Sequence, residues 1–369
     1  MKRKYLAKIA ITLTAVLITG AALTGCGANR KFIWSNPIAG YTPDGKGLRD
    51  PFILKDGKYW YMTGTMSPYG IVDGRHPQGV PLYRSSDLKK WVFLGIMVAR
   101  PDDSENKWYQ ERFWAPELFA LNGKYYITVN CCLNDGSNHG MLLAVADDIE
   151  GPYTVITDDR PLAYGNDAHL FADSDGKTYL FCSGICGAEI DLEKGELKTE
   201  LKTLFGPVKG SYEWNGERSG VGFEGPYVIK QGDTYYMFYS TWARGYEVGI
   251  AYSRSPLDGW ELCPEPIYGG INADSCIRYG GFYETGVYKY QDKYREAGHN
   301  CVFTGPDGEK WIAAHAYDYI DGEVKLVIDR IEIGDDGIHV IDIDPETGAE
   351  TEIKGPTWGK RSVRISKNG

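Results

Sequence analysis

Short runs of alternating apolar and polar residues, each closed by a glycine turn, fill the chain from residue 48 onward. Five of them share one form. A strand-like run carries polar, mostly acidic, residues; a tight turn follows; then comes a second, aromatic strand. The first runs are Arg49–Ile53, Trp114–Leu118, Asn166–Phe171, Phe223–Ile229 and Gly298–Phe303. The second runs open at Gly57, Gly123, Gly176, Gly232 and Gly308. Period-2 alternation bounded by Gly, Asp and Pro predicts antiparallel strands. Outer strands follow at 79–91, 143–153 and 250–260, with a less regular counterpart at 188–195. No window after residue 26 keeps a helical period.

Matched β-units separated by 66, 53, 56 and 76 residues predict an all-β, five-bladed β-propeller with four antiparallel strands per blade. A stacked β-sandwich is the alternative, and it leaves the five matched units unexplained. The first strand of each blade would line the axis. Asp50, Glu117, Asp167, Glu224 and His299 would then converge on one pocket. Acidic groups crowded there lose water and repel one another, which raises some of their pKa values. A raised carboxyl beside an ionised one is what glycoside hydrolysis requires.

Residues 1–25 read as a signal peptide. Lys2, Arg3, Lys4 and Lys8 precede the apolar stretch Ile9–Ala22, which is too short to span a bilayer comfortably. Leu23-Thr24-Gly25-Cys26 resembles a bacterial lipobox, which implies cleavage before Cys26 and lipid on its sulfur. Residues 26–47 would be the anchored cysteine and its tether, the latter part helping to close the ring. Residues 48–369 would be one catalytic propeller. The expected product is an exported, membrane-anchored lipoprotein and a monomer. Without the leader the formal charge falls from −10 to −14, because four of the chain's 40 basic residues are lost and its 50 acidic ones kept. That argues against a nucleic-acid partner, which needs a basic face. Beyond Cys26 stand Cys131, Cys132, Cys182, Cys186, Cys263, Cys276 and Cys301. Seven is odd, no zinc spacing is present, and most read as small buried residues.

Leu48-Arg49-Asp50-Pro51-Phe52-Ile53, Trp114-Ala115-Pro116-Glu117-Leu118, Asn166-Asp167-Ala168, Phe223-Glu224-Gly225-Pro226-Tyr227 and Gly298-His299-Asn300 together resemble the landmarks of glycoside hydrolase family 43 over roughly residues 45 to 330. The resemblance implies an inverting glycosidase with Asp50 as general base, Glu224 as general acid and Asp167 holding Glu224 and its pKa. It also implies an oligosaccharide or polysaccharide substrate. No cofactor is required for the chemistry. His299 would either contact a calcium ion near the axis or be hydrogen-bonded in the channel wall. Glu117 would either orient substrate or pair with an arginine. Arg278 would face a substrate hydroxyl. Trp114 and Phe113 would stack on sugar or pack in the core, with Trp242 and Tyr246 as weaker candidates of the same kind. The expected activity is of the α-L-arabinofuranosidase or β-xylosidase type, and the chain's length tilts it toward arabinofuranose. Endo-arabinanase and galactan- or galactofuranose-directed activity are alternatives within the family. A retaining fructoside-acting propeller, whose first-blade Asn-Asp-Pro-Asn motif is missing here, and a non-catalytic glycan-binding lipoprotein are the readings outside it.

Overall fold

A computed structural model describes residues 30–365 except 39, 43–44, 67–78, 207–212, 215–216, 219–221, 242–245, 264–265, 270–293, 319–322 and 335. Its regular structure is all β, apart from one short 3-10 turn at Asp103–Glu105 among the described residues. Five blades form a ring. Their inner strands are Leu48–Asp56, Glu111–Leu121, His169–Ala172, Phe223–Gln231 and Tyr294–Thr304. Each pairs with a second strand: Tyr59–Met66, Lys124–Cys132, Thr178–Cys182, Thr234–Thr241 and Lys310–Asp318. These are the ten runs that alternation and turn glycines predict. Each inner strand touches the next, and the fifth returns to the first.

The outer strands are less uniform than the repeat suggests. Blade 1 ends in an eight-residue strand, Val92–Ala99, whereas blades 2, 3 and 4 end in two-residue strands. Blades 3 and 4 add a second short strand, Lys202–Thr203 and Tyr268–Gly269, against their third strand. Blade 5 adds a fifth, Glu350–Ile353.

Apolar side chains from facing sheets fill the seams between blades. Leu143, Leu170 and Leu180 lie between blades 2 and 3, Phe181, Phe223 and Met237 between 3 and 4, and Phe238, Val302 and Ile312 between 4 and 5. Burying a side chain of this size contributes about 1.5–3 kcal/mol. The largest cluster binds blade 5 to blades 1 and 2.

A clasp covers this last seam. Lys31–Asn36 pairs antiparallel with Gly359–Arg364. Its alternation turns Phe32, Trp34 and Asn36 inward, and Trp34 packs edge-on against Trp311 at 4.6 Å between ring centroids. Asn36 Nδ2 donates to Ile328 O at 2.8 Å, to Thr357 Oγ1 at 2.8 Å and to Asp329 Oδ1 at 3.1 Å. The clasp strand begins at the end of the ring where blade 1 makes its Gly57–Lys58 turn: Lys89 Nζ lies 5.3 Å over the Phe32 ring. It then climbs toward the other end, where Ile38 bridges Leu326. No described helix is long and apolar enough to cross a membrane.

Candidate active site

Four of the five inner strands are irregular at the same end, and the chain just before the fifth matches them. Register shifts fall between Arg49 and Phe52, Trp114 and Glu117, Glu224 and Tyr227, and Gly298 and Cys301. At each, one residue takes a left-handed backbone: Asp50 (φ 53°), Ala115 (φ 45°), Gly225 (φ 53°) and His299 (φ 48°). Asp167 (φ 59°) does so two residues before the third inner strand. Only Gly225 adopts this conformation without steric cost. Bulges re-aim side chains and free a backbone N–H from the ladder.

The preceding blade takes up each freed N–H. Ala115 N donates to Thr65 Oγ1 at 2.7 Å, Asp167 N to Asn130 Oδ1 at 2.8 Å and Gly225 N to Asp167 Oδ2 at 3.1 Å. His299 N donates to Ser240 Oγ at 2.7 Å, and Asp50 N to His315 Nδ1 at 3.1 Å. The result is a closed girdle around the axis. Four of its acceptors lie on second strands; the fifth, Asp167, precedes the third inner strand and is the one the sequence reading named. The signal was present: Thr65, Asn130, Ser183, Ser240 and His315 each stand seven or eight residues after a turn glycine.

Inside the girdle lies a cavity of ≈ 330 Å³ lined by Arg49, Asp50, Thr65, Trp114, Ala115, Asn130, Asn166, Asp167, Glu224 and His299. Three expected acids, Asp50, Asp167 and Glu224, are therefore brought together. Asp50 is buried, with Oδ2 accepting from Thr65 Oγ1 at 2.6 Å and Oδ1 3.3 Å from His299 Nδ1. Burial alone would raise its pKa, but His299, Arg49 and the Thr65 hydroxyl outweigh it and hold the carboxyl at about 2. His315 Nδ1 also lies 3.4 Å from Asp50 Oδ1. It accepts the Asp50 N–H, so it bears no proton there, and burial and Arg49 lower His315 to about 3. This contact is not an ion pair.

Glu224 is the opposite case. Burial and the neighbouring Asp167 raise its pKa; a 2.7 Å hydrogen bond from Tyr246 Oη and the nearby His299 pull the other way. Asp167 is fixed on both oxygens: Oδ1 accepts from Asn130 Nδ2 at 2.9 Å, and Oδ2 accepts from Gly225 N and Ser183 Oγ. An ionised carboxylate and a carboxyl biased toward its proton thus share one pocket.

The remaining expected residues divide. Trp114 lines the cavity, with the Arg112 guanidinium 4.3 Å from its ring centroid. Phe113 is wholly buried in the apolar core and offers no surface to a ligand. Glu117 does not line the cavity either. Ala115 holds the place in blade 2 that Asp50 and Asp167 hold in theirs, and Glu117 stands two residues deeper. There its Oε2 lies 2.8 Å from His169 Nδ1, in an axial layer with Phe52, Tyr227 and Cys301. Its pairing is with a histidine, not the arginine considered from sequence. Tyr246 is buried beneath the pocket and holds Glu224 instead of stacking on sugar. Arg278, Trp242, Cys276 and Cys26 lie outside the described residues. Arg49 was not expected. It lines the cavity, and Asp50, Tyr317, Tyr246 and Glu224 stabilise its charge against burial.

His299 Nδ1 faces Asp50, and the ring lies against Gly225. Among the described residues no three His, Cys, Asp or Glu converge as a metal set. Calcium prefers six to eight oxygens, which His299 and Asp50 do not supply by themselves.

The family description "Glycosyl hydrolases family 43" matches residues 45–339. The extracellular endo-alpha-(1->5)-L-arabinanase 2 of Bacillus subtilis (strain 168) is 30% identical over 244 residues, covering 57% of this chain and 48% of that protein. A xylan 1,3-beta-xylosidase of a Vibrio species is 28% identical over 256 residues, 62% of this chain and 42% of that protein. The chain thus spans about half the length of these curated relatives. A solved thermostable family-43 glycoside hydrolase superposes with a TM-score of 0.66 at 26% identity, over 88% of this chain and 98% of that one.

Proposed function

This chain belongs to glycosyl hydrolase family 43, and we propose on that premise that it is an inverting O-glycosyl hydrolase that releases terminal pentofuranosyl or pentosyl units from plant-type polysaccharides or their oligosaccharides. The observation that carries the reading is the opposite bias of two carboxyls around one cavity: Asp50 held at about 2, Glu224 raised. Asp50, ionised, takes a proton from water as that water attacks the anomeric carbon. Glu224 gives its proton to the departing glycosidic oxygen. Asp167 keeps Glu224 protonated by its charge and locks the adjacent Gly225 backbone. Inverting enzymes need a water between base and sugar. Arg49 and Trp114 line the cavity, and in this reading the first meets substrate hydroxyls and the second a sugar face.

The axial layer of Phe52, Glu117, His169 and Tyr227 stands beneath the catalytic residues, and a pocket floored in this way supports binding of a chain end. Endo action, which the Bacillus relative's name carries, is the second reading. A panel of p-nitrophenyl arabinofuranoside, xyloside and galactofuranoside, with debranched arabinan alongside, separates the substrates; NMR of the first-formed product reads the stereochemistry. Asp50→Asn and Glu224→Gln should each cut turnover by about 10²-fold or more. Substrates with very acidic leaving groups should rescue Glu224→Gln and not Asp50→Asn; equal rescue would reverse the roles. We also propose export and lipid attachment at Cys26, read by membrane fractionation of the full chain against Cys26→Ala.

A further inference from the structure

The third blade departs from the others at the pocket end. Its second strand stops at Cys182 and turns back through Ser183-Gly184-Ile185 into the third strand at Cys186. Cys182 and Cys186 are direct cross-strand partners. Both are free thiols, and as opposed residues of an antiparallel pair they project from the same face. Directly opposed residues of an antiparallel pair have Cα atoms about 4.5–5.5 Å apart, inside the span a disulfide bridges.

The hairpin between them is part of the catalytic scaffold. Ser183 Oγ donates to Asp167 Oδ2, Ser183 N donates to Asn166 O at 2.9 Å, and Gly184 N donates to Phe223 O at 2.8 Å. Those contacts reach the residues that flank Asp167 and Glu224. We propose that Cys182 and Cys186 form a reversible dithiol–disulfide site, closed by a small-molecule or protein disulfide, and that its closure alters the hold of Ser183 on Asp167.

The chemistry closes without further reagents. Cys186 is partly exposed, and its neighbours Cys182 and Thr203 lower its thiol to about 6 even though burial works against them. Its thiolate attacks one sulfur of the oxidant R–S–S–R and displaces RS⁻, giving a mixed disulfide. Cys182, buried and with its pKa pushed up, then gives up its proton and attacks the Cys186 sulfur, expelling the second RS⁻. Two S–H bonds are broken and one S–S bond is formed. The oxidant is reduced to two thiols, which carry the two protons. The forming bond draws Cys186 away from the Gly184 carbonyl and Thr203 hydroxyl that its sulfur now faces at 3.7 and 3.6 Å, and the intervening turn must follow.

The test is incubation of the purified chain with oxidised glutathione, peptide mass mapping, and pH–rate profiles before and after. A Cys182–Cys186 cross-link is expected, reversed by dithiothreitol. The basic limb of kcat/KM should shift by several tenths of a pH unit or more on oxidation, because the Asp167 charge beside Glu224 is re-solvated. Cys186→Ser should abolish both changes. Cys263→Ser, which removes another partly exposed thiol, should abolish neither. A mapped protein with no 182–186 cross-link, or a cross-link that leaves the profile unmoved, overturns the proposal.

Discussion

Two neighbours pull on the proton of Glu224 in opposite directions, and each can be removed alone. Asp167 raises its pKa and Tyr246 lowers it. Asp167→Asn should therefore move the basic limb of the pH–rate profile down, since the acid would lose its proton sooner. Tyr246→Phe should move the same limb up. A pH series of kcat/KM on both variants checks the signs, and parallel shifts would show that only packing had changed. The three acids were legible because each stands in a short motif beside its strand. Glu117 was misplaced for a physical reason. Alternation gives which side chains share a face, but a bulge changes the count, and nothing in Trp-Ala-Pro-Glu marks Ala115 as the residue turned to the pocket. The structural role of Glu117 has its own consequence. Glu117→Ala leaves the buried His169 Nδ1 without its hydrogen-bond partner, so it should cost about 1–3 kcal/mol in denaturant unfolding.

At the scale of strands, the ten inner and second strands were readable because turn glycines and aromatic runs bound them. Of the clasp, only the N-terminal part was anticipated, as a segment that helps close the ring; its pairing was not readable, because Gly359–Arg364 is polar on one face and its partner lies more than three hundred residues away. Asp329 ties the clasp down. It accepts from Asn36 Nδ2, from Thr357 Oγ1 and N, and from Tyr268 Oη at 2.8 Å, with no cation among these partners. Burial pushes its carboxyl up to about 7 against those hydrogen bonds. The folded protein thus holds this proton more tightly than the unfolded chain, where an aspartate titrates near 3.9. The associated stability is full below about pH 4 and is lost as pH rises to about 7. Urea midpoints should fall across that window in the wild type relative to Asp329→Asn; parallel curves would place the proton elsewhere.

Across the whole molecule, the girdle explains how five sheets with few covalent constraints keep three acids in register. Each bulged residue is held by the blade before it, so an error in one blade is felt in the next. Ser240→Ala removes the acceptor for His299 N and should lower kcat by weakening the contact of His299 with Asp50. Its thermal midpoint should fall by only a few degrees, as expected for one lost hydrogen bond in a large domain. A collapse of stability with kcat preserved in the folded fraction would make the girdle a purely structural device. The five-blade wheel could be anticipated from repetition. The polar residues of the girdle are marked by their spacing after each turn glycine, but their pairing is not, since its hydrogen bonds cross between blades and no single repeat contains both partners.

The clasp strand also fixes a direction. It starts at the Lys89 end of the ring and runs toward the catalytic end. From Cys26 to Arg30 there are four residue steps, about 14 Å of fully extended chain. A lipid at Cys26 would therefore moor the enzyme by its underside, leaving the mouth of the cavity facing outward, where long, slowly diffusing polymers could reach it without first passing between protein and bilayer.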